Sequence, residues 1–265
     1  MNENDVYYER IFMHNLSESM IRVFSKGIYP IYGDGTNKKP YHIGSCFIVG
    51  DGENKYLITA SHVVEHYRYK RTTLYIGLER LLEIIGDINF TINNQGKDKL
   101  DIAIIKLRKS YYGKLWYKIK VLPLGFLDIN KKYEYNAAAI LGYPNSKNKI
   151  SINNFTKTAV CYMNSLIKYS DSPDLFNLIN VDYESHLIIK YDKIMTNKNG
   201  NQNAIHPSGM SGGPLVLINI TNNLFGFYDL NVFIGGVVIE YHKKHRVIIA
   251  TKTEKILEIL SRLIY

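Results

Sequence analysis

The chain has 265 residues, 46% of them apolar and 22% charged, a composition that excludes a disordered segment and suits one large domain or two small barrels. A net charge of +9 admits a nucleic-acid partner, but the lysines are scattered among Asn, Ile and Tyr, as low-GC coding would produce, and form no single stripe. Specific nucleic-acid binding is therefore not expected. No run approaches the ~18 uninterrupted apolar residues of a membrane span, and the polar opening Met1-Asn2-Glu3-Asn4-Asp5 leads into no signal-peptide core, so a soluble, cytoplasmic protein is expected.

In chain order, residues 6–15 carry a weak helical pattern, and Met20-Ile21-Arg22-Val23-Phe24 alternates like a strand. A loop with Gly33, Asp34 and Gly35 follows. Ser45 to Val49 and Tyr56 to Ala60 flank a Gly50-Asp51-Gly52 turn and read as a hairpin. Further apolar runs cover 73–76, 102–105, 137–141, 187–189, 215–218, 233–238 and 247–250. So many short strands between turns predict an all-β fold, a sandwich or barrels. His242-Lys243-Lys244-His245-Arg246 reads as a hairpin tip. The polar stretch Asp128 to Lys132 is the expected linker, dividing the chain into 1–128 and 129–265. Thr253 to Leu263 reads as a terminal helix with Thr253 as its cap. Cys46 and Cys161 each sit among apolar or aromatic residues, which suits buried free thiols in a reducing compartment, although a disulfide between them stays open.

Gly209-Met210-Ser211-Gly212-Gly213-Pro214 places a serine among residues whose backbone can approach another molecule closely. A serine hydroxyl is a weak nucleophile and needs a base and an orienter for that base. His62, at the end of an apolar strand, can supply the first. Asp101, opening Ile102-Ala103-Ile104-Ile105, can supply the second, because a buried carboxylate must find a donor and an imidazole N–H is a suitable one. Gly209 permits a turn that aims its own N–H and that of Ser211 at one point, as an oxyanion hole requires. Each residue also has a plain structural role: a surface histidine, a turn aspartate, a tight Ser-Gly-Gly-Pro loop. Three such contexts in the order His, Asp, Ser favour the joint reading.

These segments resemble the trypsin-like, chymotrypsin-fold serine peptidases, particularly the disulfide-free bacterial branch that includes the HtrA-type enzymes. The match lies in GSCFIVG and LITASHVV (44–64), LDIAIIKL (100–107), AAILGYP (138–144) and GMSGGPLV (209–216). The resemblance implies two antiparallel six-stranded β-barrels with a C-terminal α-helix, and a serine endopeptidase cutting protein or peptide substrates. It casts His62 as general base, Asp101 as its orienter and Ser211 as nucleophile, with the Gly209 and Ser211 amides binding the oxyanion. It implies a substrate pocket between Ile205, His206, Pro207 and Ser208 on one wall and Val238, Ile239, Glu240 and Tyr241 on the other. The position that holds an acid in trypsin matches Ile205, so an apolar or uncharged P1 residue is expected. Met210 stands where zymogen-activated relatives carry an aspartate, which points to control by a regulatory protein partner rather than by N-terminal cleavage.

His62-Val63-Val64-Glu65-His66 also spells the H-x-x-E-H pattern of inverted zincins, with two ligands four apart on a helix. Here it follows a β-branched strand, and no third ligand stands out, so no metal or other cofactor is expected. A peptidase fold that has lost activity and only binds is the other alternative; intact His62, Asp101, Ser211 and Gly209 argue against it.

Overall fold

The computed structural model describes residues 3–35, 39–51, 53–70, 72–91, 100–127, 135–148, 157–197, 200–222 and 228–264. Helix α1 spans Glu3–Phe24. The strand expected at 20–24 is thus the last turns of a helix. Leu16, Met20 and Phe24, four apart, are all buried, and Phe12 packs partly against the same cluster. A four-residue spacing fits a strand face as well as a helix face; Glu18 and Arg22, exposed between the buried residues, decide for the helix.

Two antiparallel sheets follow. The first is built from β1 (Ile28–Asp34), β2 (Pro40–Gly50), β3 (Lys55–Ala60), β4 (Leu74–Gly77), β5 (Leu81–Glu83), β6 (Gly86–Phe90), β7 (Ile102–Leu107) and β8 (Leu122–Pro123). Their order is β5-β4-β1-β2-β3-β7-β6, with β8 added parallel to β2. Gly33 and Asp34, expected in a loop, belong to β1 because both pair with β2. The predicted β2–β3 hairpin forms, and its turn is held by the Asp51 carboxylate, which accepts from the amides of Glu53 (3.0 Å) and Asn54 (2.8 Å).

The second sheet contains β9 (Ala137–Gly142), β10 (Val160–Asn164), β11 (Leu166–Ile167) and β12 (His186–Lys190). After the β13 (Ile194–Asn197) and β14 (Gly200–Asn203) ribbon come β15 (Pro214–Asn222), β16 (Tyr228–His242) and β17 (Val247–Lys252). The order in the sheet is β10-β9-β15-β16-β17-β12-β11. Both sheets curl as half-barrels. Setting aside β5, β8 and β11, each two or three residues long, leaves six principal strands per sheet, the number expected.

The first sheet's strands end at Pro123 and the second's begin at Ala137. The expected linker, Asp128 to Lys132, lies outside the described residues. One apolar cluster runs through both sheets, joining Ile58 and Ile104 to Val216 and Ile249. The terminal helix forms at Thr253–Ile264 and buries Ile256 and Leu260. The Thr253 hydroxyl, expected as its cap, instead donates to the Ile234 carbonyl at 2.6 Å. The hairpin tip at 243–246 joins β16 to β17 as predicted. Cys46 and Cys161 are buried free thiols; burial pushes the Cys161 pKa to about 12 and the Cys46 pKa higher still. Among the described residues no helix is long and apolar enough to cross a membrane.

Candidate active site

Strands β3 and β7 pair so that Ala60 faces Ile102, so the chain leaving β3 and the chain entering β7 meet at the same edge. Ser61 and His62 begin α2 (Ser61–Lys70) there, and Asp101 is the last residue before β7. Asp101 has φ +48°, a left-handed conformation that aspartate tolerates better than most residues. Its carbonyl accepts from the Ser61 amide (2.9 Å), and its carboxylate accepts from both the His62 amide (2.9 Å) and the His62 Nδ1–H (2.6 Å). With Nδ1 so engaged, Nε2 is the basic nitrogen. Burial by itself lowers the His62 pKa; the hydrogen bond and charge of Asp101, with the charges of Glu65 and Glu240, outweigh it and hold the pKa above its usual value.

Ser211 lies in the turn that feeds β15 from the second sheet. Gly209 (φ +92°) and Gly212 (φ +87°) both take left-handed conformations there. The Met210 amide donates to Pro207 O, that of Gly212 to Val238 O, and that of Gly213 to Met210 O. The amides of Gly209 and Ser211 have no partner among the described residues, the condition an oxyanion hole needs before substrate arrives. Met210 itself points inward and is 1% exposed, packed with Ile140, Tyr162, Tyr191 and Val238.

Glycines bring the turn against the first sheet. A Cβ on Gly212 would collide with Ser45 O and Thr59 Oγ1 and stand 3.1 Å from the Ala60 nitrogen. One on Gly44 would meet the Val63 methyls at 2.7 and 2.8 Å and Ser211 O at 3.1 Å. The Ser211 turn therefore lies against the end of β3, next to the start of the helix that carries His62. His62 and Asp101 are hydrogen-bonded to each other, and among the described residues no hydrogen bond joins Ser211 to the His62 ring.

Two further groups, not singled out by sequence, hold this turn. Ser45, fully buried, donates its amide to Ser211 O (2.8 Å) and its hydroxyl to Gly209 O (2.8 Å), while accepting from the Tyr143 amide (2.9 Å). A serine opening an apolar strand run is the one local hint, since a buried hydroxyl must find partners. The second group is a chain of side chains. An amide oxygen only accepts, so His42 donates from Nδ1 to Asn145 Oδ1 (2.5 Å), and Asn145 Nδ2 donates to Ser208 Oγ (3.0 Å). Burial lowers the His42 pKa, opposed by hydrogen bonds with Asn145 and the Gly44 backbone.

The residues expected to line the substrate pocket lie on two facing segments. Ser208 N–H bonds His206 Nδ1 (3.2 Å), and the His206 ring meets Tyr241 edge-on at 5.7 Å. Tyr191 OH donates to Ile205 O. Across from them, β16 carries a bulge at Ile239 that leaves Val238 and Ile239 buried and Glu240 exposed.

The H-x-x-E-H segment follows the β-branched strand, as the sequence shows, and lies on a helix: the strand ends at Ala60, and α2 starts immediately. Among the described residues no group of three or more His, Cys, Asp or Glu side chains is placed to share a metal ion.

No protein-family model and no curated protein matches the chain. Among solved structures it is similar to a chain from work on how aromatic interactions drive the coupled folding and binding of the intrinsically disordered Sesbania mosaic virus VPg protein. The two are 13% identical with a TM-score of 0.45, over 89% of this chain and 90% of the other. That likeness is too weak to carry an argument. The two curled antiparallel sheets themselves fit a chymotrypsin-like double-barrel fold.

Proposed function

We propose that the protein is a serine endopeptidase of the trypsin-like kind, in the disulfide-free branch its motifs resemble. The observation that carries this reading is the Asp101-oriented His62 beside a serine turn whose Gly209 and Ser211 amides are unpaired. His62 Nε2 takes the Ser211 proton as Oγ attacks the substrate carbonyl. The oxyanion is held by the two amides, and His62 then returns the proton to the leaving amine. Water, deprotonated by His62, releases the acyl group and restores Ser211. The substrate is a protein or peptide with an apolar or uncharged P1 side chain, received between the His206 and Val238–Glu240 segments. Met210 in place of an aspartate leaves control to a regulatory partner, in the cytoplasm.

The test is labelling by a fluorophosphonate probe. Wild type should label and Ser211→Ala should not. A wild type that never labels, with or without cell extract, would favour a peptidase-fold binding module instead.

A further inference from the structure

On the outer side of the first sheet lies a cleft of about 400 Å³, within the size range of small-ligand pockets. Five separate segments converge on it: Ser25 and Lys26 after α1, Tyr29 in β1, the β4–β5 turn, the 3₁₀ turn at 113–118 with Lys120, and Lys157 ahead of β10. The lysines that look scattered along the chain are here gathered by the fold. Lys26, Arg80, Lys118, Lys120 and Lys157 line the cleft, against one acid, Glu79, which pairs with Lys118 at 3.2 Å. Lys26, Arg80 and Lys120 have no carboxylate in ion-pair reach among the described residues. Like charges gathered around one cleft repel one another, and an anion bound among them relieves that repulsion.

The cations are also positioned. The buried Tyr29 hydroxyl donates towards Lys26 O (3.0 Å) and Lys120 O (3.0 Å) and accepts from the Lys120 amide (2.8 Å). One phenol oxygen thus pins the backbones of two cationic residues at the rim. Desolvation lowers the Lys157 pKa, with the Glu79 charge opposing it. Leu78, Leu82 and Leu115 supply an apolar surface, and Tyr117, 72% exposed, offers an unoccupied ring.

We propose that this cleft binds a nucleoside phosphate, the phosphate among Lys26, Arg80, Lys120 and Lys157 and the base on Tyr117 and the leucines. Four cations suit a dense anion better than a single carboxylate, and charge-assisted bonds to phosphate oxygens are the strong ones. A flat apolar wall beside them suits a base, since stacking on an aromatic ring needs no sequence readout. The site lies outside the residues assigned to catalysis and stands whether or not the peptidase reading holds.

The single tryptophan, Trp116, is buried and lies in sequence between two cleft-lining residues, Leu115 and Tyr117, so its emission is followed as the reporter. The full chain is titrated at low salt with AMP, with inorganic phosphate and with a short single-stranded oligoribonucleotide, following Trp116 emission and calorimetry. Saturable binding of AMP or the oligomer is expected, weakened at least tenfold by Lys26→Glu with Arg80→Glu and weakened again by added salt. Tyr117→Ala should weaken the nucleoside ligands and leave inorganic phosphate unchanged. Binding of AMP identifies a free nucleotide as sufficient; binding of the oligomer alone identifies a unit of RNA. Inorganic phosphate binding as well as either, or charge-reversed protein of unchanged melting temperature binding like wild type, would overturn the proposal, as would no saturable binding at millimolar ligand.

Discussion

Asp101 holds His62 at two points, through the ring Nδ1 at 2.6 Å and through the backbone amide at 2.9 Å. The second bond fixes where the residue stands, and the first fixes which way its ring turns. Because the His62 pKa is raised, its imidazolium persists above the ordinary value of 6.5, and in the proposed peptidase that form is inactive. The acid limb of kcat/KM should therefore have its midpoint above 6.5. Asp101→Asn keeps a residue tolerant of the left-handed backbone, so the fold should survive. It should lower the midpoint and cut kcat by about 10³–10⁴. A raised folded pKa adds stability that is full below the unfolded pKa and is lost as pH rises through the folded value. The ring is 45% exposed, so solvent keeps this contribution small. Identical pH midpoints for the two proteins would contradict this account of the pair.

The turn carrying Ser211 is held from outside by the His42, Asn145 and Ser208 chain. Gly209→Ala would force a left-handed φ on alanine and drive its Cβ into Asn145 Oδ1, with His42 Cε1 at 2.7 Å and Tyr143 O at 2.8 Å. The oxyanion amides would move, so kcat should fall by about 10²-fold or more with KM little changed. Asn145→Ala removes the acceptor of His42 and the donor to Ser208 and should cost about tenfold in kcat. His42 has the opposite pH sign to His62. Its lowered pKa adds stability that is present above the unfolded value and lost as pH falls through the folded one, because protonation would put a second N–H where the buried Nε2 finds no partner. Steady-state kinetics of both variants check this, and a Gly209→Ala enzyme with wild-type kcat would remove the role given to the turn.

How much of this was legible in sequence follows from range. His62, Asp101 and Ser211 each sit in a local run with its own pattern, and the strands β3, β7 and β15 that carry them are continuous apolar stretches. The ties that assemble them are not local. Ser45 reaches Gly209 across 164 residues, and His42 reaches Asn145 across 103. Nothing in a window of ten or twenty residues marks such partners. The second half of α1 was hidden for a different reason, since Met20 and Phe24, four apart, suit a strand face and a helix face alike. The cationic cleft was hidden because charges from four segments become neighbours only on folding.

Met210 fills the core of the second sheet, 1% exposed. Met210→Leu conserves volume and should cost less than about 1.5 kcal/mol. Met210→Ala leaves a cavity and should cost about 2–5 kcal/mol. Met210→Asp should be worse than both, because its carboxylate would be buried among Ile140, Tyr162 and Val238 with no ion-pair partner. Urea unfolding of the three variants gives the order. An aspartate variant as stable as the leucine one would mean that this pocket admits a counter-charge after all.

Lys55 is 5% exposed and sits over the Trp116 ring at 4.5 Å, its Nζ donating to the carbonyls of Trp116 and Ile119 at 2.5 Å each. Lys55→Met keeps most of the volume but leaves two buried carbonyls without a donor, at a cost of about 1–3 kcal/mol. Burial first, then the charges of Lys120 and Lys109, lower its pKa to about 8. A lowered folded pKa gives stability that is present at high pH and lost as pH falls through the folded value. Between pH 8 and 10 the unfolded chain keeps a proton that the folded one has released. Wild type should therefore gain stability over that window, while Lys55→Met should not. Comparing the two proteins removes the contribution of the tyrosines. Denaturant midpoints that run parallel from pH 7 to 10 would show that the ammonium stays charged, held by its two carbonyls and the indole face.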